Sequence, residues 1–134
     1  MNKEKSCGAI IINDKDEILI IQHKKGHWAF PKGHVENNET EIETALREVK
    51  EETNLDIKIL EQYKCKTTYS PKKDTVKDVI YFIGINPTGS IKMQEEEVIQ
   101  YKWLKIDECY NVLTYDNDKK LLKDIYSKYK SEKI

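Results

Sequence analysis

Arginine is almost absent from this sequence of 134 residues: 23 residues are basic, and Arg47 is the one arginine among them. A guanidinium group is a flat, two-pronged donor that the ammonium group of lysine cannot imitate. One interpretation is therefore that Arg47 serves partners that need this geometry. Chance survival in a lysine-biased composition explains the count equally well.

Cysteine is also scarce. Cys7, Cys65 and Cys109 are an odd number, and no two of them are spaced as C-x-x-C. This pattern disfavours both a disulfide framework and a zinc site. We expect three reduced thiols with a structural role.

Long apolar runs are missing as well, since none approaches the roughly 20 residues that span a bilayer. Residues 1–6 are polar, and the apolar residues 7–12 form a short, β-branched segment without a cleavage signature. We therefore expect a cytoplasmic protein with no membrane partner. The formal net charge is −1, so a general affinity for nucleic acid is not expected.

The composition predicts one folded domain over residues 1–134. Hydrophobic residues make up 38% of the chain against 35% charged residues, which argues against disorder. No internal repeat and no linker rich in Gly, Ser or Pro divides the sequence. We also expect the domain to act as a monomer.

Apolar, β-branched runs at 6–12 and 17–22 flank Asn13–Asp16, which is typical of a hairpin. A loop containing Gly26, Trp28, Pro31 and Gly33 is predicted next. Similar apolar runs predict strands at 56–66, 76–85 and near 98–104, and clusters of Pro, Gly and Asn predict turns at 70–74 and 86–89. Apolar residues at helical spacing predict a last helix from about Asp116. The sum is a mixed α/β or α+β domain.

The clearest predicted helix begins at Thr40. Thr40 and Glu43 fit a capping box, in which each side chain satisfies a free backbone amide of the first turn. Asn54 is suited to the left-handed residue that closes a helix. Four apolar residues at i, i+3, i+4 and i+7 predict one buried stripe, and they are Ile42, Ala45, Leu46 and Val49.

The same helix carries a cluster of carboxylates. At about 100° per residue, Glu48 lies next to Glu52, with Glu51 beside them and all three away from the apolar stripe. Like charges at these spacings repel, and a divalent cation would remove the repulsion. Oxygen ligands without histidine or thiol favour Mg²⁺ or Mn²⁺ over zinc. The alternative is a solvated acidic face that serves solubility.

The residues around this helix resemble a known family. The order Gly33, five residues, Glu39, seven residues and then 47–55 (Arg-Glu-Val-Lys-Glu-Glu-Thr-Asn-Leu) is similar to the Nudix box, except that Asn54 replaces its second glycine. The resemblance implies a Nudix-like sandwich, a mixed β-sheet flanked by helices. It also implies Mg²⁺, which Mn²⁺ can replace, on Glu48, Glu51, Glu52 and the Gly33 carbonyl. Arg47 would orient a glutamate through a bidentate contact, and Glu39 would support the helix start.

Segments outside the box resemble the asymmetrically cleaving diadenosine tetraphosphate hydrolases, and they are residues 7–11, 27–36, 43–48 and 79–82. Glu97, six residues before Trp103, matches a further carboxylate of that group. The resemblance implies attack by water on the polyphosphate chain, with AMP and ATP as products. Glu51, Glu52, Glu97 and Arg47 would form the catalytic set, and Glu97 would be a metal ligand or general base. An ordinary acidic loop at Glu95–Glu97 is the alternative.

Substrate contacts are predicted from residue type and position. Lys32 and Lys77 supply charge for a polyphosphate, with His34 as a further candidate. Tyr69 and Tyr115 are candidates for stacking on adenine. Tyr81, Trp28 and Trp103 are expected to be structural, and His23 and His27 are given no role. The expected partner is a small nucleotide.

Two other functions stay open at this point. The chain could be a Nudix hydrolase of another substrate, such as an RNA 5′-end, an oxidised nucleoside triphosphate or a diphosphoinositol polyphosphate. It could also be a non-catalytic Nudix domain that senses a nucleotide. Such domains usually lose box carboxylates, whereas Arg47, Glu48, Glu51 and Glu52 are all present.

Overall fold

A computed structural model of the protein describes residues 1–133. Seven strands and three helices follow one another in these residues: β1 (Asn2–Ile12), β2 (Ile18–His23), β3 (Trp28–Ala29), β4 (Lys32–His34), α1 (Glu41–Thr53), β5 (Asp56–Tyr69), β6 (Thr75–Thr88), β7 (Val98–Leu104), α2 (Ile106–Val112) and α3 (Asp116–Glu132). No helix in this part of the chain is long and apolar enough to cross a membrane.

All seven strands join one mixed sheet around β1. β6 runs parallel to β1 along its whole length, and β5 pairs antiparallel with β6 at the edge. On the other side, β1 pairs with β2 near its end and with β4 at residues 6–8. The pairing of β4 places Gly33 opposite Cys7, at the point where β1 faces the start of α1.

Helices cover both faces of this sheet, because successive side chains of a strand point to opposite faces. The face that packs on α2 and α3 contributes, among others, Ile10, Ile20, Leu122 and Ile125. The opposite face packs on α1, and its apolar clusters include Cys7, Ala9, Ile11, Ala45 and Val49. The predicted class, a mixed sheet flanked by helices, is confirmed.

The predicted hairpin, the strands at 56–66, 76–85 and 98–104 and the last helix are all present. The predicted loop around residues 26–33 is wrong in part, since it contains β3 and β4, which are short strands paired with their neighbours. The predicted turn at 86–89 is also wrong in part. β6 continues to Thr88, with Asn86 at φ 52°, before Gly89 turns the chain at φ 99°.

The ends of α1 follow the sequence prediction. The Thr40 side chain accepts the Glu43 amide at 3.1 Å, and the Glu43 carboxylate accepts the Thr40 amide at 2.8 Å, which completes the capping box. Asn54 closes the helix in the left-handed conformation at φ 69°. Its side-chain amide donates to the Ser90 carbonyl at 3.1 Å, which anchors the turn.

The predicted buried face of α1 is wrong at Leu46, which is 39% exposed. Glu48 and Glu52, predicted to point away from the core, are 9% and 5% exposed. The two carboxylates are buried because β4 packs on α1 at this point, where the Lys32 amide donates to Glu52 and Gly33 lies against Glu48.

Candidate functional site

Two buried glutamates on α1 form the centre of the site. The Lys32 backbone amide donates to the Glu52 carboxylate at 3.1 Å, which ties the helix to the start of β4. One turn away, Glu48 packs on Gly33. A Cβ atom on Gly33 would lie 1.7 Å from Glu48 Oε2, well inside any real contact. Only glycine therefore leaves room for this carboxylate beside the strand.

Arg47 binds the other acidic groups around this centre. Its Nε and Nη2 donate to the two oxygens of Glu39 at 2.7 and 2.9 Å, which is the bidentate contact predicted for it. Its Nη1 donates to Glu48 at 2.7 Å and reaches Glu51 at 3.2 Å, and Nη2 also donates to the His34 carbonyl at 2.9 Å. A lysine has no geometry that makes all these contacts, which is a physical reason for an arginine at this position.

Glu39 supports the start of α1 as well as holding Arg47. Its Oε1 accepts the Glu36 amide at 3.0 Å and the Thr44 hydroxyl at 3.0 Å. The hydrogen bonds from Arg47, followed by those from Glu36 and Thr44, lower the pKa of Glu39 to about 2. The segment 36–39 is thus tied to the helix by a permanently charged carboxylate.

The pKa values of the two buried carboxylates, Glu48 and Glu52, are raised instead. Burial, and then the charge of Glu48, raise the pKa of Glu52 to about 8, and Glu97 adds a smaller effect of the same sign. Burial also raises the pKa of Glu48, against the effect of Arg47. Like charges held out of water are costly unless a cation is supplied. Shifts of this kind are common at functional sites.

The donor set has the chemistry of a site for a hard divalent cation, although the side chains do not converge on one point. Within residues 1–133, no three Asp, Glu, His or Cys side chains are arranged to hold a metal ion. Arg47 accounts for part of this, because it draws Glu51 and one oxygen of Glu48 toward itself. Glu51 has a side chain that is 46% exposed, so it is free to rotate toward its neighbours.

The remaining predicted metal residue, Glu97, lies at the end of a loop packed on α1. The Gln94 amide donates to the Glu52 carbonyl at 3.3 Å, and the Glu97 amide donates to the Gln94 carbonyl at 2.9 Å. Glu97 is exposed, and its charge acts on Glu52. The structure therefore brings Glu97 to the same side as Glu48 and Glu52.

A cavity of about 700 Å³ meets the carboxylate centre at Lys32. Such volumes are typical of pockets for small ligands. Three of the predicted substrate residues line it, namely Lys32, Tyr69 and Tyr115. Lys32 is the link between the two halves of the site, because its amide holds Glu52 while the residue also lines the cavity.

His34 and Lys77 do not line the cavity, but they lie near its Lys32 corner. Burial and then the charge of Lys77 lower the pKa of His34, while burial and the charge of Lys32 lower the pKa of Lys77. A second groove of about 420 Å³, lined by residues such as Lys5, Glu41 and Lys64, contains no predicted site residue.

Among the cavity residues that were not predicted as part of the site are His27, Tyr81 and Asp118, which carry titratable side chains. His27 stacks on His23 at 4.4 Å between ring centroids and lies 5.7 Å from the Tyr115 ring. Tyr81 is completely buried, as expected, but it also lines the cavity. Asp118 lines it too and is 7% exposed. Its spacing was a usable signal, because Asp118 shares the helical spacing of the apolar residues Leu121, Leu122 and Ile125.

Comparison with known proteins identifies the family. The NUDIX domain model matches residues 3–125. The asymmetrical bis(5′-nucleosyl)-tetraphosphatase of Rattus norvegicus is 31% identical over 135 positions, which cover 90% of this chain and 91% of the rat protein. Nudix hydrolase 6 of Arabidopsis thaliana is 33% identical over 112 positions, which cover 78% of this chain and 40% of that protein.

The same fold occurs in solved structures. A C. elegans Ap4A hydrolase in a binary complex superposes with a TM-score of 0.85 at 27% identity, over 96% of this chain and 98% of that one. The match of the family model extends over β1 to α3 and includes Gly33, Glu39 and the acidic face of α1. The chain therefore belongs to the Nudix family and is a hydrolase of phosphoanhydride bonds.

Proposed function

We propose that the protein hydrolyses diadenosine tetraphosphate asymmetrically, to AMP and ATP, with Mg²⁺ as cofactor. The observation that carries this proposal is that Lys32, whose amide holds the buried Glu52, also lines a cavity whose walls include Tyr69 and Tyr115. The full-length similarity to the rat tetraphosphatase supports it. A reactive acidic centre next to an aromatic cavity suits a polyphosphate with a base at its end.

Glu48, Glu51 and Glu52 would hold the magnesium, with the Gly33 carbonyl and Glu97 as further ligands. When bound, the ions neutralise phosphate charge and make water a better nucleophile at neutral pH. Oxygen-only donors and the repulsion between Glu48 and Glu52 favour this cofactor, and Mn²⁺ would substitute.

Other side chains would position the carboxylates and bind the phosphate chain. Arg47 positions Glu48 and Glu51, and it keeps the segment around His34 against α1. Lys32 places a positive charge between the carboxylates and the cavity, where the phosphate chain would pass. Lys77 extends this charge at the same corner, and His34, whose pKa is lowered, offers a neutral hydrogen-bonding ring there.

The base would stack on Tyr69 and Tyr115 in the cavity. Base–aromatic stacking contributes about 1–3 kcal/mol per base. The oxygen of water attacks the phosphorus next to one adenosine, the bridging P–O bond breaks, and ATP leaves as AMP forms. The proton of the attacking water passes to a carboxylate among Glu51, Glu52 and Glu97.

A different nucleotide substrate is the second candidate. Nudix hydrolase 6 of A. thaliana matches 78% of this chain at slightly higher identity than the rat enzyme, so the shared residues alone do not fix the substrate. An RNA 5′-end is disfavoured by the net charge of −1. A non-catalytic sensor is disfavoured because the box carboxylates and Arg47 are all in place.

The test is a panel of substrates with and without Mg²⁺, in which products are separated by ion-exchange chromatography. Diadenosine tetraphosphate should give equal amounts of AMP and ATP, and EDTA should stop the reaction. Faster cleavage of a nucleoside triphosphate or of capped RNA would overturn the substrate assignment.

The role of Glu97 is tested with a neighbour as control. Glu97→Gln should lower kcat at saturating substrate, whereas Glu96→Gln, a change in the same exposed loop, should not. Equal effects of both changes would show that the loop matters only through its overall charge. We also propose that the enzyme is cytoplasmic and that it acts as a monomer. Size-exclusion chromatography with light scattering tests the monomeric state.

A further inference from the structure

The carboxylate of Asp118 is buried, and it has no hydrogen-bond or ion-pair partner among residues 1–133. It lies in the first turn of α3, is 7% exposed and lines the cavity beside Tyr115. Among residues 1–133 it forms no ion pair, and burial raises its pKa to about 6, with only the charge of Lys32 acting the other way. A buried polar group without a partner destabilises the fold, so its partner is expected to come from the cavity.

The hydroxyl of Tyr81 is a second unpaired group at the same place. Tyr81 lies in β6, is completely buried and lines the cavity, and its Oη has no hydrogen-bond partner in the described part of the chain. Asp118 is the charged group that acts on it most strongly. The wall of the cavity thus includes one carboxylate and one hydroxyl, and neither has a partner among residues 1–133.

These two groups are suited to a base and not to a phosphate. A carboxylate repels phosphate oxygens, whereas it accepts hydrogen bonds from ring and amino N–H groups. The aromatic rings of Tyr69 and Tyr115 line the same cavity, and aromatic rings bind the flat face of any base with little selectivity. Selectivity must then come from polar groups that meet the edge of the base.

We propose that Asp118 and Tyr81 read the Watson–Crick edge of an adenine held by Tyr69 and Tyr115. The Asp118 carboxylate accepts a hydrogen bond from the N6 amino group, and the Tyr81 hydroxyl donates to N1. This proposal rests on the proposed function and adds residues that bind the edge of the base. It assigns Asp118 a role in specificity and none in the bond-breaking step.

The sharpest probe is a base that lacks only the amino group. Purine riboside 5′-monophosphate keeps N1 and loses N6, so it should bind more weakly than AMP by about ten- to a hundredfold, the usual cost of leaving a buried acceptor unpaired. Guanine is a poorer probe because its N1–H also offers the carboxylate a donor. Both nucleotides are measured by isothermal titration calorimetry on the intact protein.

Two variants separate the two contacts. Asp118→Leu should abolish the preference for AMP, because it removes the acceptor for N6. Tyr81→Phe should weaken AMP and the purine nucleotide to the same degree, because both carry N1. Asp116→Leu, in the same turn but with a side chain that is 99% exposed, is the control and should keep the wild-type preference.

Equal binding of the two nucleotides by the wild-type protein would overturn the proposal without any variant, so a folding defect cannot hide the answer. Retention of the AMP preference by folded Asp118→Leu would overturn it as well. The titrations need no turnover, so they also separate this proposal from the proposed function. A protein that prefers AMP but does not cleave diadenosine tetraphosphate would refute only the latter.

Discussion

Replacing Glu52 by glutamine should make the metal-free protein more stable while it removes the activity. Glu52 is 5% exposed and lies beside the like charge of Glu48, so its ionised form is unfavourable in the fold. Glutamine keeps an oxygen that can accept the Lys32 amide, a bond of 3.1 Å in the wild-type protein. The change therefore removes the charge and keeps the contact.

The size of the effect follows from the pKa of Glu52. It is about 8 in the fold against an ordinary value of 4.5, and each pH unit of that difference corresponds to about 1.4 kcal/mol. The upper limit is therefore roughly 5 kcal/mol. Because part of the repulsion disappears when Glu48 binds a proton instead, we expect about 2–4 kcal/mol.

The sign gives the pH window. A raised carboxyl pKa means that the native state binds more protons than the unfolded state between pH 4.5 and 8. The wild-type protein should lose stability as the pH rises through this range, and the glutamine variant should lose less. The two proteins should differ little near pH 4.5 and most at pH 8 and above.

Guanidinium unfolding in EDTA at pH 5 and pH 8.5 measures this difference. The control is Glu51→Gln, one residue away, whose side chain is 46% exposed and which should bring no such gain. Adding Mg²⁺ at pH 8.5 should stabilise the wild-type protein more than the Glu52→Gln variant. The reasoning is refuted if Glu52→Gln is less stable than the wild-type protein at pH 8.5, or if Mg²⁺ acts alike on both.

Three further changes test the surroundings of the site. Arg47→Lys should lower kcat/KM at least about tenfold, because one ammonium group cannot replace the two bonds to Glu39 together with those to the other partners of Arg47. Steady-state kinetics at saturating Mg²⁺ measures this loss, and near-normal turnover would count against the positioning role. Gly33→Ala should lower kcat by at least about tenfold, because its Cβ would displace the Glu48 carboxylate, and an unchanged kcat would show that Glu48 has room elsewhere. Asn54→Ala should lower the free energy of unfolding by about 1 kcal/mol, whereas Asn54→Gly should stay within about 0.5 kcal/mol of the wild-type protein, because residue 54 has φ 69°. Denaturant unfolding measures both changes, and equal losses would exclude backbone strain as the cause.

Features that depend on neighbours in sequence could be predicted from the residues alone. The capping box of Thr40 and Glu43 and the left-handed end at Asn54 involve contacts within a few residues, and both are present. The hairpin around Asn13–Asp16 is similar, because its turn lies between two apolar β-branched segments.

Features that depend on contacts between distant segments could not be predicted from the sequence. Spacing alone placed Leu46 in the core and Glu48 in solvent, whereas Leu46 is 39% exposed and β4 covers Glu48. The strands β3 and β4 are too short to show a period, and they exist because β2 and β1 offer free edges. The helix α2 has seven residues, which is also too short for a clear repeat.

The candidate site shows the same division. The carboxylates and Arg47 share one helix, so their proximity follows from α-helical geometry. The cavity is assembled from residues 25–32, from β5 and β6 and from the start of α3, and nothing in the sequence signals that Tyr69 and Tyr115 share it with Asp118. These residues lie in one cavity because of the order in which the strands join the sheet.

Anomalous diffraction from crystals soaked with Mn²⁺ and a non-hydrolysable diadenosine tetraphosphate analogue would test the central claim most directly. We predict anomalous peaks against the carboxylates of Glu48, Glu51 and Glu52, with Glu51 turned away from Arg47 and the phosphate chain beside the metal. Peaks elsewhere, with those three side chains free of metal and the analogue bound away from them, would contradict the account.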